Sequence, residues 1–338
     1  MGQAAARAAA RLFQAKTEAH MKYLKPVIAL LLAAFMMLGA VACVNGGGNN
    51  PDTTAAPADN PTEAPATEEP TEEPTPEIKK GFDLHFIDIG TGDGMLLVCD
   101  GEAMVIDSGN VGRGEKMVSY IKAQGVTELK YIMVTHGHAD HVGGMPEIIE
   151  AFPFETMFIN LEQRCTEQPF KNLLAIIEER KINTVNPEVG AVYTLGGGSF
   201  KVIGPLKDDP NNLNNCSICI KFTYGENTFL LCADISATVE SQLLKSGEDL
   251  TADVFKADHH GSSAGNVKKF LSTVNPKYIC MQVGTENKLG YPDKSTVKRL
   301  EQTGAEFYRN DVHGDVVMHS DGKTITVTTE KVPEAAEN

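Results

Sequence analysis

The sequence predicts a layered α/β domain in which two mixed sheets are flanked by helices. Three observations lead there. Strand-like runs outnumber helical ones, helices fall between strands, and the runs are punctuated by Gly, Asp and Asn turns. From residue 82 the chain opens with "FDLHFIDIG" (82–90), "MLLVC" (95–99) and "AMVID" (103–107), three strands. A helix over 115–125, "EKMVSYIKAQG", ends at Gly125, which suits a helix C-terminus. Strand "YIMVT" (131–135) is followed by helix 146–152, strand 156–160, helix 170–180 and short strands near 192–195 and 200–204. "CSICIKFTYGENTFLLCAD" (216–234) reads as a hairpin through Gly225-Glu226-Asn227. Helix 238–247, strand 253–258, helix 266–274, strand 277–283, helix 295–304 and strands 306–309, 315–320 and 324–329 complete the pattern.

The first 80 residues differ from the rest. Residues 22–43, "KYLKPVIALLLAAFMMLGAVAC", pass from a basic start through an apolar run to small residues and a cysteine, the layout of an export signal. The apolar run is shorter than the roughly 20 residues preferred by a spanning helix. "AVAC" resembles a bacterial lipobox, which implies lipidation of Cys43, although Ala40 stands where Leu is usual. Met21 opens a complete signal by itself and is the expected start. Residues 45–80 are rich in Pro, Thr and Glu and poor in large apolar residues, so they cannot offset the entropy of ordering by burial. The expected organisation is an N-terminal extension and signal (1–44), a disordered tether (45–80), one folded domain (81–332) and a tail (333–338). The expected location is the outer face of the cytoplasmic membrane, with the membrane held through lipidated Cys43 and no stable protein partner implied.

Residues 1–44 carry five Lys/Arg against one Glu, so the acidity behind the formal charge of −15 lies beyond them. An acidic domain repels polyanions at long range, which argues against a broad nucleic-acid-binding face. Of the seven cysteines, six follow residue 81 and most lie in apolar strand-like runs, the pattern of small buried hydrophobes. Cys216 and Cys219 have the spacing of a metal knuckle but lack a second pair, and no zinc site is expected there.

The stretch "YIMVTHGHADHVGGM" (131–145) places His136, His138, Asp140 and His141 within six positions, directly after an apolar strand and before Gly143-Gly144. Imidazole and carboxylate suit zinc and similar divalent ions, and a strand-to-loop junction holds them while leaving coordination positions open. His136 and His138 can chelate one ion while Asp140 and His141 turn toward a second.

H-x-H-x-D-H followed by Gly-Gly resembles the signature of the metallo-β-lactamase superfamily. The resemblance implies a four-layer αββα sandwich with one or two divalent ions, zinc or alternatively manganese, between the sheets. It further implies that Asp234, closing "FLLCAD", bridges the two ions and that one of His259 and His260 is the last histidine ligand. His260 is favoured because Gly261 follows it. Between His141 and His259 the chain has no histidine, so the third imidazole of the first ion is missing, and Asn215 is the candidate for a weak ligand or an outer donor. "FIDIGTGDGMLL", "VIDSGN", "NNCSICIKFTYGENTFLLCADI", "ADHHGSS" and "YPDKSTVKRLEQTGAEFYRNDVHGDVVM" follow in order the pattern of the hydrolase domain of the competence protein ComEC, over roughly 82–328. His138 departs from many such domains, which carry Asp there.

Asp88 and Asp93 are expected to brace the metal loop, contact substrate or form the turn, and Asp107 to orient a ligand histidine or form a turn. His85 is expected to be structural, and His313 and His319 to lie at the surface. The resemblance implies an extracytoplasmic metal-dependent phosphodiesterase using a metal-bridging hydroxide, with Asp140 orienting the nucleophile and His259 stabilising the anion or protonating the leaving oxygen. Its substrate would be a phosphodiester in DNA or a cell-wall polymer, including phosphorylcholine esters. The alternatives are a lactone or β-lactam ring hydrolase and a metal-stabilised, non-catalytic binding module.

Overall fold

Side chains alternate between the two faces of a strand, and this alternation sorts the apolar residues into three seams. The computed structural model describes residues 80–207, 209–285 and 289–332. The expected signal segment, Cys43, tether and C-terminal tail lie outside the described residues. Leu84, Phe86, Leu97 and Met104 face Phe200, Ile220, Phe222 and Phe229 across the middle seam. Phe82 stacks on Phe222 with ring centroids 4.2 Å apart and meets Phe229 edge-on at 4.7 Å. The strand neighbours Leu96, Val105 and Ile132 point outward onto one helical layer, and Leu230, Phe255 and Ile279 point onto another. Three apolar seams between four layers make the αββα sandwich anticipated from the sequence.

Among the described residues one sheet has eight strands. In spatial order they are β15 (Ile325–Thr329), β14 (Val316–Ser320), β1 (Phe82–Phe86), β2 (Met95–Cys99), β3 (Glu102–Ile106), β4 (Leu129–Met133), β5 (Phe154–Phe158) and β6 (Thr184–Val185). The other has seven: β13 (Glu306–Arg309), β12 (Tyr278–Met281), β11 (Val254–Lys256), β10 (Asn227–Leu231), β9 (Cys219–Tyr224), β8 (Gly198–Gly204) and β7 (Val192–Leu195). Strands β3 to β6 run parallel, as do β10 to β13. Helices α1 (Gly114–Ala123), α3 (Met145–Ala151) and α4 (Gln168–Arg180) send Met117, Ile148 and Phe170 into the outer seam of the first sheet. Helices α5 (Ala237–Ser246), α6 (Lys268–Val274) and α7 (Lys294–Glu301) do the same for the second with Val239, Phe270 and Leu300. Ser236 caps α5 by accepting from the Thr238 amide, and the left-handed Gly247 ends it. Asp293 caps α7 through the amides of Ser295 and Thr296.

Most departures from the sequence reading are at element ends. Strand β4 stops at Met133, two residues earlier than expected, because the Thr135 amide donates to the Asp107 side chain and not to a neighbouring strand. The expected hairpin begins at Cys219, since Leu213–Cys216 forms a 3-10 turn instead of strand. Helix α6 starts at Lys268 because Asn266 takes a left-handed conformation and binds the backbone of Asp258 through its side chain. Two single-turn helices, α2 (Ala139–Val142) and α8 (Asn310–His313), and the two-residue strand β6 were not anticipated.

Candidate metal centre

Parallel strands deliver their C-terminal ends to one edge of a layered sheet, and ligand sites form there. Strand β3 leads to Asp107, β4 to His136, β10 to Asp234 and β11 to His259 and His260, while the β1–β2 loop adds Asp93. The backbone is held in unusual conformations at these exits: Asp107, Ala233, His259 and His260 all have φ between 50° and 57°. Such strain in residues with side chains costs energy and persists where the surroundings enforce it. Close approach also fixes two glycines. A Cβ on Gly92 would lie 1.9 Å from the Asp140 carbonyl oxygen, and one on Gly143 would lie 2.1 Å from the Val111 nitrogen. The histidine loop is tied down by its amides, with Gly137 donating to Gln163 and Ala139 to Glu167.

The donors converge. His136, His141 and Asp234 offer ligand atoms within 4.8 Å of one another, and so do Asp140, His141 and His260, and Asp93, Asp234 and His260. Asp234 Oδ2 lies 3.2 Å from His141 Nε2 and 3.1 Å from His260 Nε2. Asp140 stands 3.6 Å from His260 and 3.9 Å from His141. His136 Nε2 faces His138 Nδ1 at 3.0 Å. His141 donates from Nδ1 to Asp107 Oδ2 at 2.8 Å, and His260 donates from Nδ1 to the Gln282 carbonyl at 3.0 Å. Each ring therefore turns Nε2 inward, the arrangement by which outer partners orient metal-binding imidazoles. Thr135 completes the brace by donating its hydroxyl to Asp107 and lying 3.2 Å from His136 Nδ1.

This donor set fits divalent cations. Asp234 Oδ1 is buried without a hydrogen bond, and His136 Nε2 and His138 Nδ1, 3.0 Å apart, are placed to bind one ion together. Charge balance gives the same answer. Burial opposes a charged His260, but Asp234 and its hydrogen-bonded neighbours overcome that and push its pKa up to about 10. His141 behaves likewise, raised well above its normal value by Asp234, Asp107 and Asp140 in spite of burial. His136 goes the opposite way, lowered by burial and then by His141. Burial works against the Asp234 carboxylate, and His260 and His141 hold its pKa well below the usual range. The carboxylates thus make this a basin that favours positive charge, which divalent cations would supply.

Other anticipated residues take distinct places. Asp107 accepts from His141 Nδ1 and so orients that ring. Asp93 lies inside the cluster, its Oδ2 2.8 Å from the ammonium of Lys256 and its Oδ1 3.4 Å from His260. Asp88 is outside it and serves the turn: its carboxylate accepts from the Gly90 amide, and its own amide donates to Asp315. Asn215 takes an outer position. Its carbonyl oxygen accepts from the Ser236 hydroxyl at 2.7 Å and its amide donates to Asp209, so it braces the turn beyond Asp234. Its neighbour Asn214 is the one at the cavity, 3.3 Å from His259 Nε2. His85 is buried against the Tyr120 hydroxyl at 3.0 Å, His319 pairs with Asp83 at 2.7 Å and His313 bonds the backbone of Arg309. The six described cysteines are buried, as the apolar runs around them led one to expect.

Sequence reasoning missed Lys256, Gln282, Thr135 and Tyr291. Lys256 had a signal: a lysine in the middle of an apolar strand is rarely buried without a partner, and here it is fully buried. The Tyr291 hydroxyl lies 3.4 Å from His259 Nε2. With Asn214 and His259 it lines an open cavity of about 650 Å³ whose floor includes Asp140, Asp234 and His260.

An αββα sandwich with convergent His and Asp side chains at the strand ends defines a metal-dependent hydrolase fold. Residues 89–281 match the model of the metallo-beta-lactamase superfamily, and the chain belongs to that superfamily. It is similar to ComE operon protein 3 of Bacillus subtilis, 23% identical over 252 residues covering 69% of this chain and 32% of that protein. Recombination protein 2 of Haemophilus influenzae is 25% identical, covering 70% of this chain and 29% of its own length, and competence protein ComA of Neisseria gonorrhoeae is 22% identical, covering 67% and 30%. The chain thus spans about a third of the length of these relatives, and the ComEC-type resemblance stands. Among solved structures, a diphosphatase of the PhnP family superposes with a TM-score of 0.44 at 14% identity, covering 70% of this chain and 98% of that one. The metallo-beta-lactamase fold protein YhfI of Bacillus subtilis gives 0.43 at 13%, covering 68% and 96%. Among the described residues no helix is long and apolar enough to cross a membrane.

Proposed function

We propose that the protein is a metal-dependent phosphodiesterase acting outside the cytoplasm, anchored there through Cys43. One observation carries the chemistry: the donor sets around His136 and around His260 share Asp234 and lie against one open cavity. His136, His138 and Asp234 would hold one divalent ion, and Asp140, His141, Asp234 and His260 a second, with zinc or manganese suited to these ligands. Two such ions supply a nucleophilic water at neutral pH and the positive charge that a phosphoryl group in displacement requires.

The chain's own groups do the rest. Asp107 and the Gln282 carbonyl fix the tautomers of His141 and His260. Asp140, at the cavity floor, accepts a hydrogen bond from the attacking water and so aims it. His259 lies 3.9 Å from Asp234 Oδ2, beside Asn214 and Tyr291, and serves the leaving oxygen as donor or anion stabiliser. Burial lowers its pKa, which favours the neutral imidazole. The acidity of the chain favours a small or wall-linked phosphodiester over long DNA.

The test is a panel: the metal-loaded protein offered bis(p-nitrophenyl) phosphate, a phosphorylcholine ester, DNA, a lactone and a β-lactam, with and without chelator. Chelator-sensitive cleavage of a phosphodiester supports the proposal. Turnover of the lactone or β-lactam with every phosphodiester untouched replaces it with ring hydrolysis, and no turnover by a metal-replete protein leaves a binding module.

A further inference from the structure

The cavity over the candidate metal centre is lined by Asp140 and Asp234 beside its histidines, and Glu167 joins them from the loop before α4. Arg113 is the one Lys or Arg among its described lining residues. It comes from the loop after β3, which supplies none of the converging donors beyond Asp107. No acid among the described residues forms an ion pair with it, although Arg180 and Arg309 each find one.

The residue is held in place. Its amide donates to the Asn110 carbonyl at 3.0 Å, and its carbonyl accepts from the Met117 amide at 3.1 Å, so its backbone is fixed at the first turn of α1. Asn110 in turn accepts from the Val111 amide. The guanidinium lies over Gly90 in the β1–β2 loop, where a Cβ would come within 3.3 Å of Nη2 and 3.6 Å of Cζ. A glycine with φ +80° therefore leaves the space that the guanidinium occupies. The side chain is exposed, and its donors remain available to a ligand in the cavity. Guanidinium matches phosphate and carboxylate with paired hydrogen bonds that an ammonium cannot reproduce.

We propose that Arg113 is the anion anchor of this cavity, holding a second anionic group of the substrate apart from the phosphodiester that lies over the metal cluster. The proposal deepens the phosphodiesterase reading and rests on it. It makes the preferred substrate a short phosphodiester carrying one additional phosphate or carboxylate. A single arginine beside the cation sites can pair with one extra anionic group, whereas a long polyanion meets repulsion from the acidic surface beyond it.

The experiment compares two thymidine dinucleotides, one with a 5′-terminal phosphate and one without. Affinities are measured by calorimetry on the metal-loaded full chain with hydrolysis-resistant phosphorothioate linkages, and turnover with natural linkages. The unaltered protein is expected to bind the terminally phosphorylated dinucleotide roughly tenfold tighter, as suits hydrogen bonds between charged groups. Arg113→Ala should bring that ratio close to one, and Arg113→Lys should keep part of it. A ratio near one in the unaltered protein, or a ratio unchanged by Arg113→Ala, overturns the anchor, as does failure to bind either dinucleotide. If the ratio behaves as expected while neither dinucleotide nor any other phosphodiester is cleaved, Arg113 stands and the phosphodiesterase reading falls. Cleavage without a preference does the opposite: the phosphodiesterase reading stands and the anchor falls.

Discussion

Lys256 Nζ lies 2.8 Å from Asp93 Oδ2, with both side chains sealed from solvent, directly behind the converging ligands. The ammonium also donates to the carbonyls of Ala233 and Ala257. It ties together the exits of β10 and β11 and the β1–β2 loop. Lys256→Met keeps the length of the side chain but strands the Asp93 carboxylate. Removing one partner of a buried pair costs about 3–5 kcal/mol, and a chemical-denaturation midpoint should fall accordingly. Adding Asp93→Asn to it should recover part of the loss; a single variant as stable as the parent would show that the pair is not formed.

Asp107 braces the centre through His141 and Thr135. Asp107→Asn retains shape but weakens the charge that orients and polarises the imidazole. Metal affinity should drop by roughly 10–100-fold, the range usual for outer partners of ligands, while the fold persists by circular dichroism. Unchanged affinity in a metal-buffered titration would remove Asp107 from that role.

His259 and His260 share a left-handed turn yet face different surroundings. His260 is buried with Nε2 toward Asp234, whereas His259 borders the cavity. His260→Ala should lose bound metal. His259→Ala should keep its metal and lose rate by roughly 10²-fold or more. Metal analysis beside turnover separates the two, and the opposite pattern would exchange their roles.

Far from the centre, burial lowers the pKa of His85 from 6.5 to about 4, outweighing the field of Asp83. The fold therefore favours neutral His85, and this contribution is complete above pH 6.5. It is lost as pH falls from 6.5 toward 4, by on the order of 3 kcal/mol in full. His85→Asn cannot titrate there. Denaturant unfolding between about pH 7.5 and pH 4 should show the parent losing more stability than the variant, and parallel curves would mean that His85 protonates freely in the folded protein.

The layers were legible because strand alternation and helix spacing are local properties of the chain, and Leu96 and Leu97 already point to opposite seams on that basis. The histidine loop was legible because its donors are adjacent in sequence, and Asp234 and His260 through resemblance alone. What local pattern could not convey is which side chain a turn aims inward. Asn214 and Asn215 are neighbours in a 3-10 turn, and only the fold sends one to the cavity and the other to Ser236. Lys256 was hidden for a related reason: its partner, Asp93, lies in the β1–β2 loop of the other sheet and far away in the chain. The outer supports, Gln282 and Thr135, act through a backbone carbonyl and a hydroxyl whose neighbours are set by topology.

The central claim is that Asp234 joins two cation sites that together cleave a phosphodiester. Asp234→Asn changes one atom and removes the shared charge. Metal content by mass spectrometry, measured beside turnover of bis(p-nitrophenyl) phosphate on the same sample, tests the claim most directly. The variant is expected to retain less metal than the parent and to show no measurable turnover, with its fold intact. A variant with the parent's metal content and full rate would contradict the claim.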